Sequence, residues 1–171
     1  MFDLARFREA QEARPGFVEA LAELRAGAKT GHWIWYVFPQ LRGLGQSSMA
    51  VRFGLDGLAE ARAYLADAAL TERLATATAA VRAQVTAPAG GVPLETLMGS
   101  EIDVLKLVSC LTLFSHLARA EQAARPRPPL AALADDAEAI LAVAAAAGIP
   151  RCAFTAARIA AEAGAEGKMR A

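Results

Sequence analysis

Apolar residues recur at helical spacing along nearly the whole chain. Leu4, Phe7 and Gln11 share one face of a first helix that Asp3 can cap, ending near Gln11. Pro15 stands near the first position of a second helix, where its missing N–H costs nothing, and Phe17, Leu21 and Leu24 form a core-facing stripe. Gly27 is placed to close that helix. Trp33 to Phe38 has the aromatic content of a strand, but no second strand-like run exists to pair with it. A short buried helix or turn ending before Pro39 is therefore expected.

Gly43 and Gly45 open a loop, and Ser47 or Ser48 can cap the next helix through Met49, Val51 and Phe53. Asp56 is expected to cap a helix with Leu58, Ala61 and Leu65 inward, and Asp67 one with Leu70, Leu74, Ala77 and Val81 inward. Pro88–Ala89–Gly90–Gly91 breaks the chain, and Pro93 starts a turn of helix that ends at Gly99. Ser100 then caps the most apolar helix, about residues 100–123, and with Asp103 imitates a capping box. Apolar side chains from Ile102 to Leu117 point in nearly every direction around it, the mark of a helix in a domain's centre. Beyond the proline-rich break at Arg125–Pro129, two alanine-rich helices are expected at about 130–147 and 150–163. The pattern predicts an all-α, multihelical single domain over 1–171, with eight or nine helices.

Composition agrees with a globular chain: 55% of its 171 residues are hydrophobic and 21% charged. Eighteen basic and 18 acidic residues give no net charge, which argues against a nucleic-acid partner held through phosphates. A small anionic ligand, needing only two or three basic groups, stays open. No charged start leads into an apolar run and no stretch is long enough to span a membrane, so a cytoplasmic protein without a membrane partner is expected. Oligomeric state is not legible. Cys110 and Cys152 lack CxxC spacing and clustered histidines and read as buried hydrophobes. With two histidines in total, neither a metal site nor a cofactor is expected.

The chemically rich stretch is Lys29–Met49, which holds both tryptophans, one of two tyrosines and one of two histidines. Fifteen of the 18 basic residues are Arg, so Lys29 and Lys106 stand out. On the helix from Ser100, Lys106, Ser109, Thr112 and His116 fall within about a third of the circumference. Buried charges and hydroxyls are costly unless partnered, so this stripe faces another polar segment or a ligand cavity. In the bland case Asp103 pairs with Lys106 and the hydroxyls bond back to the helix. In the sharper case Lys106 lies along a pocket lined by the central stretch, suited to a planar anionic ligand such as a nucleotide or ADP-ribose-like compound.

The candidate ligand-binding residues are then Lys29, Trp33, Trp35, Gln40, Arg42, Ser48, Lys106, Ser109 and Thr112, with His32 and Asp103 as candidates for proton handling. Trp33 and Trp35 point to different sides of a helix or strand, so at most one stacks on a ligand and the other belongs to the core. Gly43–Leu44–Gly45 is too short for a dinucleotide fingerprint; it permits tight backbone geometry and can offer N–H groups toward an anion beside the Ser47–Ser48 helix start. The alternatives are a protein-interaction module with an exposed aromatic patch, and motifs that serve only core and capping.

The run HWIWYVFPQLRGLGQSSMA, then EARAYL, then Asp103 and Lys106 leading into SCLTLF, resembles a family of small bacterial proteins known as domain of unknown function 1810, sometimes labelled calpastatin. The resemblance covers about Leu4 to Phe114. It implies an all-helical fold and brings no established activity, and the label does not justify predicting calpain inhibition. After Phe114 the chain departs from that pattern with its proline-rich break and alanine-rich helical pair.

Overall fold

Every residue from Leu107 to Ser115 is buried, and the fold is arranged around that segment. The structure, a computed structural model, describes residues 1–169. Among them are ten helices and no strand: α1 Ala5–Glu12, α2 Phe17–Ala26, α3 Ile34–Val37, α4 Ser48–Phe53, α5 Leu58–Ala66, α6 Ala68–Val85, α7 Leu94–Met98, α8 Glu101–Ala124, α9 Pro128–Ala146 and α10 Ala153–Met169. The all-α expectation holds. The count exceeds eight or nine because α3 is a single turn, the short buried helix expected before Pro39.

The helix signals are met unevenly. Asp67 caps α6 through Oδ1, which accepts from Leu70 N at 3.0 Å, and Ser100 caps α8 through Oγ, which accepts from Asp103 N at 3.2 Å. Gly27 and Gly99 end α2 and α7 in the left-handed region, at φ 81° and 79°. Asp3 does not cap α1; the chain is already helical at Leu4, and only the Asp3 carbonyl is used, by Arg6. Asp56 does not cap α5 either. Gly57 takes the cap position at φ 95°, and Asp56 N donates to Glu60 Oε2 at 2.7 Å. Pro15 lies outside α2, where Gly16 N donates to Glu19 at 2.8 Å. At α2 and α5 a glutamate side chain accepts from the backbone N–H groups at the helix start, which local sequence preference does not foresee.

α8 packs on α9, which packs in turn on α6, and the remaining helices gather around this layer. α9 therefore belongs to the core, with Leu130, Leu133, Ala137, Ile140 and Ala144 fully buried. α8 is not apolar-buried all round: Ile102 and Leu105 are 65% and 50% exposed. Both lie on its first two turns, on the side where the central stretch approaches.

Candidate functional site

The central stretch is held in place by Glu23, a residue the sequence did not single out. α2 ends at Gly27, the chain turns back, and Glu23 Oε2 accepts from Thr30 N, Gly31 N and Trp33 Nε1, each at 2.8 Å. Partial burial pushes the Glu23 carboxyl up, but these hydrogen bonds outweigh it and hold the group below its usual range. Trp33 is thereby closed into the core at 2% exposure, against Phe38. Glu23→Ala strips three donors of one acceptor and leaves a buried indole N–H unpaired. A loss of about 1–2 kcal/mol is expected in urea denaturation followed by tryptophan fluorescence. A Glu23→Gln variant should fall between the two.

Lys29 N donates to Leu97 O at 2.8 Å, tying the loop to α7 and turning the Lys29 side chain toward the start of α8. There Lys29 Nζ lies 2.6 Å from Asp103 Oδ2 and also donates to Gly31 O at 2.7 Å. Asp103 Oδ1 takes Lys106 Nζ at 2.9 Å. The second half of the expected capping box is not formed, because both Asp103 oxygens are occupied by ammonium groups. Burial raises the Asp103 carboxyl, yet the bonds from Lys29 and Lys106 prevail and hold it below the usual carboxylate range. A carboxylate so held is a poor proton acceptor near neutrality. The trio carries a net charge of one positive unit.

Lys106 Nζ also sits 4.4 Å from the centroid of the Trp35 ring, a cation–π contact across the α3–α8 junction. The two tryptophans thus divide as expected: Trp33 is core, and Trp35 is half-buried at a cavity wall. That cavity encloses about 450 Å³. Its polar lining consists of Gln40, Gln46, Ser47, Lys106 and Ser109; Leu44, Ala50, Ile102, Leu105 and Val108 supply most of the apolar side. Pro150 and Cys152, from the turn between α9 and α10, complete it. Gly43 has φ 105°, and a Cβ on Gly45 would come within 2.9 Å of the Ala50 Cβ, so the loop's tight path depends on glycine at both places. Trp35 Nε1 is buried without a hydrogen-bond acceptor among the described residues.

A second depression, of about 270 Å³, shares Trp35 with the first and brings together Lys29, Thr30, His32, Ser100 and Asp103, with His32 exposed. Of the two blocks expected to be neighbours, His32–Gln40 and Asp103–Thr112, the structure brings together His32, Trp35 and Gln40 with Asp103, Lys106 and Ser109, and leaves Thr112 off both walls. Other expected residues stand apart. Arg42 is exposed and reaches Asp56 at 3.5 Å, lining a depression of about 590 Å³ near Arg6 and Arg52. The charges there are largely paired among themselves, including Arg6 with Glu60 at 2.8 Å. Ser48 is exposed in the first turn of α4; the cap and the cavity position both belong to Ser47. Thr112 is buried, bonding back to Val108 O at 2.7 Å and accepting from Cys152 N at 3.3 Å. His116 is exposed. Ser109 Oγ lies 3.2 Å from Thr155 Oγ1 as well as on the cavity wall. The polar stripe thus meets both a polar segment and a cavity.

Ile102, Leu105, Lys106 and Ser109 follow i, i+3, i+4, i+7 and define one face of α8, a signal present in the sequence but masked by the helix's general apolarity. Pro150 and Cys152 carry no such signal. Among the described residues no group of three potential metal ligands occurs, and no helix is long and apolar enough to cross a membrane.

Residues 1–127 match a family model described as a protein of unknown function (DUF1810). A crystal structure of the conserved hypothetical protein Rv1873 from Mycobacterium tuberculosis is similar, with 45% sequence identity and a TM-score of 0.63 over 77% of this chain and 84% of that one. No curated protein matches the chain.

Proposed function

We propose, from the premise that this chain belongs to the DUF1810 family, that the cavity beside Trp35 and Lys106 binds a small anionic ligand with a flat apolar body. That class runs from nucleotide or ADP-ribose-like compounds to simple aromatic acids. The observation that carries the proposal is the pairing of an apolar wall of about 450 Å³ with the Lys29–Asp103–Lys106 trio at its edge. Ligand sites are concave, mainly apolar and furnished with a few convergent polar groups, in the range of roughly 300–1,000 Å³. The trio's positive charge favours an anion, and Lys106 keeps N–H groups beyond the one given to Asp103.

An exposed aromatic patch for a protein partner has less support, since Trp33 and Phe38 are buried. Nothing in the geometry supports a particular reaction: Asp103 is committed to two lysines, and His32 lies at the rim.

The test is a thermal-shift panel of nucleotides, sugar phosphates and aromatic acids on the full chain. A ligand at one hundred times its Kd stabilises the folded state by about 2.7 kcal/mol, or roughly 5–10 °C in a chain of this size. The shift should shrink in a Lys106→Ala variant. No shift at millimolar concentrations of any compound, with wild type and variant alike, would overturn the proposal.

A further inference from the structure

We infer that the ligand of this cavity is an apolar monocarboxylate, a ring-bearing acid with a single negative charge, and not a diphosphate such as ADP-ribose; this rests on the reading of the cavity as a ligand site. The first observation is the charge of the wall. Lys106 is the one charged side chain among the described residues that line it. Of its three N–H groups, one is taken by Asp103 Oδ1 at 2.9 Å. The remaining donors suffice for one carboxylate.

The second observation is what stands behind Lys106. Asp103 is itself an anion in contact with that ammonium, and Lys29, which balances its other oxygen, lies across Asp103 and not on the wall of this cavity. A second ligand charge near Lys106 would therefore meet the Asp103 carboxylate with no further cation to oppose it. Diphosphate sites supply clustered Arg and Lys, or convergent backbone N–H groups. Arg42, the one arginine of the stretch Lys29–Met49, is engaged with Asp56 at another depression.

The third observation is the rest of the lining. Leu44, Ala50, Ile102, Leu105 and Val108 offer no side-chain donors, so the part of the ligand that lies against them must be apolar to be favoured there. The Gln40 and Gln46 side-chain amides and the Ser47 and Ser109 hydroxyls are neutral groups able to hold a carboxylate's second oxygen.

Calorimetric titration of the full chain with three probes tests this: 2-naphthoate, its neutral isostere 2-naphthamide, and ADP-ribose. Naphthoate is expected to bind at least tenfold tighter than either of the others. In Lys106→Met, which keeps the side chain's length over Trp35 and leaves Asp103 its Lys29 partner, naphthoate affinity should fall to the level of naphthamide, and naphthamide affinity should hold within about threefold. The wild-type comparison needs no variant and stands even if Lys106→Met folds poorly. Equal binding of naphthoate and naphthamide, tighter binding of ADP-ribose, or naphthoate affinity indifferent to Lys106→Met would each overturn the inference while leaving a ligand cavity in place. If none of the three binds at millimolar concentration, the cavity reading falls with it.

Discussion

Asp103→Ala is expected to lower folding stability by about 3 kcal/mol, the lower end of what breaking a buried ion pair by removing one partner costs. The side chains of Lys29 and Lys106 are 7% and 19% exposed, and both lose their carboxylate together. The partial exposure of Lys106 lets water recover some of the loss, which is why the lower end applies. Thermal or urea denaturation reads the change directly. A drop of roughly 6–12 °C in Tm is expected, against a total stability of about 5–15 kcal/mol for a domain of this kind. Lys29→Met combined with Asp103→Ala should cost less than the sum of the two single changes, because the double variant leaves one fewer enclosed charge unpaired.

The same group sets a pH dependence whose sign is fixed by the direction of its shift. The Asp103 carboxyl is held below its ordinary value of 3.8 in the folded protein. Its contribution is therefore fully present above that value and is lost as pH falls through the lower folded-state value. The stability gap between wild type and Asp103→Asn should stay level through neutral pH and narrow below about pH 4. A gap that widened on acidification would contradict the pairing.

Phe114→Ala is expected to cost more, about 4 kcal/mol, within the range for deleting a fully buried aromatic ring. Phe114 is wholly enclosed on α8, 5.4 Å from Tyr64 of α5 between ring centroids. Tyr64 meets Phe7 of α1 at 5.3 Å, Phe7 meets Phe53 of α4 at 5.7 Å, and Phe53 meets Tyr36 of α3 at 5.5 Å. One ring thus closes a chain of aromatic contacts through five helices. Phe114→Leu, which keeps much of the volume, should cost well under half as much. Urea melts should show a lowered midpoint with an unchanged slope if the fold is kept; a change of slope would mean that the aromatic chain holds the compactness of the native state itself.

Much of the candidate site is legible in the sequence. Lys106 stood out as a lysine in an arginine-rich chain and as the charged member of a stripe on an apolar helix. The division of labour between Trp33 and Trp35 followed from adjacent positions pointing to different sides of any regular element. Arg42 and Ser48 belonged to the same stretch by sequence, yet the backbone carries Arg42 toward Asp56 and gives the cap to Ser47. Proximity along a chain does not survive a glycine-bordered loop. Glu23 had no distinguishing feature at all: an exposed-looking acid on an amphipathic helix becomes the anchor of the central stretch only because Gly27 turns the chain back over it.

By itself the sequence determined the helices, several of their caps and the burial of the middle of α8, and it offered the pairing of two distant blocks around Lys106 as one of two readings, since all of these follow from spacing and from the cost of burying unpartnered polar groups. Tertiary structure alone decided three things. It placed α9 in the core and the Pro150–Cys152 turn on the cavity wall. It exposed Ile102 and Leu105 on an otherwise enclosed helix. It also gave Asp103 to two lysines at once, turning an expected helix cap into the charge centre of the candidate site. Each depends on which surfaces meet across long separations in sequence, and side-chain periodicity carries no information about that.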